Sequence, residues 1–256
     1  MTYSYGITLL ILCPLIFLAS FIDAIAGGGG LISLPAYIFA GLPIHVAYGT
    51  NKFSASMGTA TAAVNYLRGG CIDYKAAVAG CLGALIGSWV GTRLALSLSP
   101  RALQVCLMVL LPLVGVFIVS SRGIGNAQLK NQPREKIKFI LSALIGLVIG
   151  CYDGFFGPGT GLFMTLALSG LVHLDLIKAV GTTKLLNLSS NMASMLTWLI
   201  NGKILFSVAI PCTLCSIAGG YLGSRLAMKV GKKLIRVVLV LVAALLFIKI
   251  ALDLLR

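Results

Sequence analysis

Residues 23–37 read DAIAGGGGLISLPAY, with four consecutive glycines, Gly27–Gly30, inside an otherwise apolar run. Each glycine in a helix interior costs about 1 kcal/mol relative to alanine. The run therefore predicts a helix that stops at the glycines and a second that starts behind them. The second element, residues 30–41, would be only ~18 Å long at ~1.5 Å per residue, too short for a hydrocarbon layer of ~30 Å.

The surroundings of the break define its setting. Of 256 residues, 59% are hydrophobic and 10% charged, whereas a soluble domain carries about a quarter charged residues. Long apolar stretches recur from end to end, more than a soluble core could bury. This composition implies an all-α polytopic membrane protein, with the lipid bilayer as its first partner. The formal charge of +14 comes mostly from bases in short connections between apolar segments. That is a topology signal, and no nucleic-acid partner is expected. The opening MTYSYG lacks the basic flank of a cleaved signal peptide, so the first segment is expected to stay as an anchor. Cys212-x-x-Cys215 has redox or metal spacing, but no second pair or nearby histidine completes a site. These cysteines read as packing residues, and no metal or other cofactor is expected.

Laid on itself at an offset of 132, the sequence repeats: GSWVGTRLA (87–95) falls on GGYLGSRLA (219–227), and YGTNK (48–52) on VGTTK (180–184). Upstream the offset becomes 130, pairing Asp23 with Asp153 and Gly27–Gly30 with Gly157-Pro158-Gly159-Thr160. Each half has five apolar elements, roughly 6–26, 30–41, 46–68, 74–97 and 101–121, then 137–153, 161–171, 176–200, 204–227 and 232–255. The expected organisation is a first transmembrane repeat over 1–121, a basic cytoplasmic linker over 122–136 and a second repeat over 137–256. Such duplication is a common transporter design.

Charge sets the relative orientation of the halves. If the N-terminus and the 41–47 connection share a side, thirteen Lys and Arg fall on one side and five on the other. The alternative parity gives eight against ten. The first division follows the positive-inside pattern and implies inverted-topology repeats with both termini outside. It leaves open whether the Gly-broken short elements cross fully or re-enter as hairpins. Backbone that stops inside the membrane must line a protein-buried cavity.

Lys52 and Lys184 lie inside long helices at equivalent repeat positions. A lysine near the bilayer centre costs about 2.5–3.5 kcal/mol on insertion scales, so it faces a cavity or a partner. Donors crowd around both: Thr50, Asn51, Ser54 and Ser56 in one half, and Thr182, Thr183, Asn187, Ser189 and Asn191 in the other. The helix starts at Gly28, Gly29 and Gly30 and at Gly159, Thr160 and Gly161 would add free N–H groups and a positive dipole end. Together these residues describe a site for a small anionic substrate. Asp23 and Asp153 precede the two breaks by four residues. They are candidates either for proton coupling or for fixing the helix ends by pairing with lysine. The glycines lack the strand context and following Lys-Ser/Thr of a P-loop. The stripe Gly83, Gly87 and Gly91, echoed by Gly219 and Gly223, reads as close helix packing.

AGGGGLISLPAYIFAGLPIHVAYGTNKFS (26–54) and GFFGPGTGLFMTLALSGLVHLDLIKAVGTTKLLNLSS (154–190) resemble the paired segments of the TauE/SafE sulfite exporter family. The resemblance spans nearly the whole chain and implies a bacterial inner-membrane secondary transporter, with no enzymatic activity. It also implies sulfite, thiosulfate or organosulfonates as substrates, moved outward by alternating access. Pro35 matches the family pattern after the first glycines, whereas the second repeat has Thr165 there. Two other readings stay open, a passive anion channel and a membrane-embedded sulfur-handling enzyme or assembly partner.

Overall fold

The computed structural model describes residues 4–120, 133–231, 233–235 and 237–238, with side chains omitted over 111–120. Most of the basic linker and most of the final apolar element lie outside the described residues.

The described residues form helices α1 (Tyr5–Ala26), α2 (Gly30–Phe39), α3 (Ile44–Arg68), α4 (Tyr74–Ser97) and α5 (Pro100–Ser120). The second half supplies α6 (Glu135–Phe155), α7 (Thr160–Gly170), α8 (Leu176–Ile200) and α9 (Phe206–Val230). α1, α4, α6 and α9 are long and apolar enough to cross a membrane. α3 and α8 have 25 residues each but carry many Thr, Ser and Asn residues. Each packs between other helices, α3 against α8 and α9, α8 against α3 and α4. Polar helices at the centre with apolar ones around them are what a lipid solvent requires.

The question left by the glycines is answered by packing. Gly29 lies against Ala19 and Asp23 near the end of α1. At the other end of α2, Tyr37, Ala40 and Leu42 share one core with Leu12 and Ile16 of α1. So α2 folds back along α1 as a hairpin arm. Met164 and Leu168 of α7 likewise share a core with Ile145 of α6.

The small-residue stripes bring backbones together between the halves. A Cβ on Gly87 would stand 2.1 Å from the Leu147 carbonyl oxygen, and one on Gly219 2.3 Å from that of Phe17. α4 thus rides on α6 and α9 on α1, and each contact joins one half of the chain to the other. Cys212 is buried in the core beside Leu12, with Cys13 packed against it.

A polar clasp holds one end of this assembly. Asp73, the N-cap of α4, accepts from the Ala76 N–H and pairs with Lys138 of α6. Burial alone would raise the Asp73 pKa. The Lys138 hydrogen bond, the Ala76 N–H and the Lys138 charge outweigh it and hold the carboxyl below its ordinary range. A depressed folded-state pKa contributes stability above the unfolded value of about 3.9, and that contribution is lost as pH falls through the folded pKa. The thermal-stability gap between wild type and Asp73→Asn in detergent is therefore expected to be constant near neutrality and to close below about pH 4. A gap that persists in stronger acid would contradict the pairing.

Candidate functional site

The two chain breaks meet. α1 ends at Gly27, whose φ of +83° turns the chain into the first break. A Cβ on Gly27 would stand 2.3 Å from the Gly161 carbonyl carbon, and one on Gly30 would stand 3.2 Å from Pro158 Cα. The starts of α2 and α7 are therefore brought together at one place, one from each repeat.

The repeated G-T-x-K motif explains itself letter by letter. A Cβ on Gly49 would lie 2.1 Å from the Lys203 carbonyl oxygen, and one on Gly181 2.1 Å from that of Cys71. Thr50 accepts from the Leu205 N–H at 3.1 Å, and Thr182 from the Asp73 N–H at 3.0 Å. Each motif thus clasps the connection that follows the other repeat's polar helix. These contacts also run α3 and α8 antiparallel. The lysine then reaches a carboxylate of the opposite repeat: Lys52 Nζ lies 2.6 Å from Asp153 Oδ2, and Lys184 Nζ 2.9 Å from Asp23 Oδ2.

The two pairs are built differently. Lys52 also donates to Asn191 Oδ1 at 2.9 Å, while Asp153 accepts from the Ser190 hydroxyl. Lys184 donates to the backbone carbonyl of Asp23 as well as to its carboxylate. Asp23 Oδ1 accepts from the Gly29 N–H at 3.1 Å and so caps the start of α2 from the end of α1. Lys184 is fully enclosed, at 0% exposure.

A partly open cleft lies over this junction. Of the residues expected from sequence, Asp23, Gly28, Gly29, Gly30, Asn51, Lys52, Ser54, Asp153, Gly159, Thr160, Gly161, Asn187 and Asn191 line it. Thr50, Thr182, Thr183 and Lys184 do not. The first two hold backbone N–H groups, Thr183 meets the Thr165 hydroxyl at 3.2 Å, and Lys184 lies behind the wall with Asp23. Ser20, Ser33, Thr59 and Ser216 also line the cleft and escaped the sequence reading. Ser20, Ser33 and Ser216 are isolated polar positions of apolar helices, and Thr59 is one of many hydroxyls on α3.

The cleft offers unused hydrogen-bonding capacity. The N–H groups of Gly28, Gly159 and Gly161 find no acceptor among the described residues. Asn51 is 8% exposed, and its Oδ1 has no partner among the described residues. Free N–H groups at two helix starts beside an ammonium suit an oxyanion. The two lysines and two aspartates around the junction sum to no formal charge.

Residues 12–250 match the model of a family described as sulfite exporter TauE/SafE. A "Probable membrane transporter protein" of Haemophilus influenzae is 36% identical, covering 93% of this chain and 92% of that protein. "Probable membrane transporter protein ORF9" of a Sinorhizobium species is 34% identical over 93% of this chain and 90% of its own length. "Probable membrane transporter protein YfcA" of Escherichia coli K12 is 32% identical over 92% and 87%. No solved structure matches the chain.

Proposed function

From this chain's membership of the TauE/SafE sulfite exporter family, we propose that it is a secondary transporter of small sulfur-containing anions such as sulfite, thiosulfate or organosulfonates. It is a multi-pass membrane protein of a transporter family. Within the proposal, it works as an exporter in a bacterial inner membrane, by alternating access of one repeat against the other. The observation that carries this reading is the junction of two broken helices, with unused N–H donors beside Lys52 in one cleft.

The same reading makes the repeats inverted, with both termini outside. Antiparallel packing of the equivalent helices α3 and α8 supports it. So does the charge at the two ends. Asp73 joins Thr182 and Lys138 at one end, near Arg68, Lys75 and Lys178, while Lys203 lies at the other beside Gly49.

A thermal-shift panel on the purified full chain tests the substrate class. Sulfite, thiosulfate, methanesulfonate, sulfate and acetate are compared. A ligand at a hundred times its Kd stabilises by about 2.7 kcal/mol, so at least one reduced-sulfur or sulfonate anion is expected to raise the melting temperature above the sulfate and acetate controls. No shift with any sulfur anion would overturn the substrate class.

A further inference from the structure

Resting on the anion-site reading above, we infer that Lys52 is shared between Asp153 and the substrate, so that an anion takes the ammonium only as Asp153 takes up a proton. Asp153 is then the proton carrier, and Asp23 is not.

Lys52 faces Asp153, and Lys184 faces Asp23, so the empty cleft is already neutral. A monoanion entering it would leave one uncompensated negative charge in a buried place, which a low-dielectric interior opposes strongly. A proton on a carboxylate restores neutrality; both carboxylates line the cleft, Asp23 the more exposed of the two, but only Asp153 is paired with a lysine that lines it too. Lys52 and Asp153 both line the cleft, so an anion can replace the carboxylate at Lys52 Nζ. Asn191 Oδ1, at 2.9 Å, still holds the ammonium once Asp153 is neutral. The Ser190 hydroxyl, now donating to Asp153, can turn and accept from the protonated acid.

Asp23 has no such freedom. Lys184 is enclosed and off the cleft wall, and it grips both the backbone carbonyl and the carboxylate of Asp23. The Gly29 N–H takes the other carboxylate oxygen. Protonating Asp23 would unfasten the start of α2 without releasing a cation to the substrate.

The groups facing Asp153 from the elements around it are few. α3 brings Lys52. α8 brings Ser190 and Asn191, and places Lys184 on Asp23. α4 brings Ser88 and Thr92, with Thr92 bonded to the Gly154 carbonyl, and its Arg93 is exposed. α7 has no ionisable residue, and Tyr152 on α6 donates to the Pro158 carbonyl. α1 contributes Asp23 across the cleft. The step is Asp153 carboxylate plus one proton to the neutral acid, with the anion on Lys52, and no charge is gained or lost beyond the co-bound pair.

The test measures the Kd of methanesulfonate, a monoanion whose protonation does not change, for the purified full chain from pH 6 to 8.5, with thiosulfate, a dianion, as a second probe of binding alone. Wild type is expected to bind about tenfold more weakly for each pH unit gained, the linkage slope of one proton taken up per anion. Asp153→Asn is expected to bind with a flat profile, and Asp23→Asn to keep the slope whatever its affinity. A flat wild-type profile, or a slope lost in Asp23→Asn and kept in Asp153→Asn, overturns the assignment. If a variant does not fold, the wild-type slope still decides whether a proton accompanies the anion. Absence of binding by either probe and by sulfite overturns the anion site itself. Binding without a slope overturns only the proton step.

Discussion

Lys52→Met is expected to bring anion uptake into proteoliposomes down to background and to weaken anion binding about 10–100-fold, the range of a lost hydrogen bond to a charged group. Lys52 lines the cleft, and the unpartnered N–H groups at the two chain breaks belong to residues of the same lining. The substitution also leaves Asp153 buried without its cation, and breaking a buried pair destabilises by about 3–5 kcal/mol. Binding loss must therefore be separated from unfolding. Lys52→Met combined with Asp153→Asn removes both charges and is expected to recover most of the stability while binding stays lost. Lys184→Met is expected to act mainly on stability, because Lys184 is off the cleft wall and its partners are Asp23 atoms. Anion uptake that survives unchanged in the double variant would remove Lys52 from the site.

Gly27→Ala is expected to destabilise the fold by about 4 kcal/mol, from two sources. A φ of +83° with ψ of 169° is a conformation essentially restricted to glycine, and forcing another residue there costs about 1–3 kcal/mol. The added methyl would also stand 2.3 Å from Gly161 carbon and 2.4 Å from Leu162 nitrogen. These are backbone atoms that no rotamer change can clear, and overpacking adds about 1–3 kcal/mol. Gly6→Ala is the control, since nothing lies within 4 Å of its Cβ and alanine is the better helix former. Thermal unfolding of the three proteins in detergent measures the difference. Equal melting temperatures for wild type and Gly27→Ala would mean that the two breaks do not touch.

Much of this was legible in the chain. The hydropathy of α1, α4, α6 and α9 and the repeat offset both depend on residues near one another in sequence, or on a pattern compared with itself. The glycine stripes could be assigned to helix packing because no chemistry at Gly87 or Gly219 offers an alternative. The motif G-T-x-K was harder. Sequence identifies Thr50 and Thr182 as hydroxyls beside a buried lysine, which suits ligand binding as well as capping. Only the return of the opposite repeat's connection, bringing the N–H groups of Leu205 and Asp73 to them, assigns them to structure. Ser20 and Ser216 joined the cleft unannounced because single serines in membrane helices usually bond their own backbone.

By itself, the sequence determined that this is a helical membrane protein with a glycine-broken element in each half and a buried lysine in each. Those properties follow from lipid as a solvent, which forbids unsatisfied backbone and unpaired charge wherever the chain lies. The tertiary structure decided that the short elements fold back as hairpin arms, that each lysine pairs with the carboxylate of the other repeat, and that Lys52 meets the cleft while Lys184 is sealed behind it. Two positions equal in the repeat became unequal because their neighbours come from chain segments more than a hundred residues away. A local pattern shows that a buried charge needs a partner, but which partner it meets, and whether space remains beside it, depends on how distant helices pack.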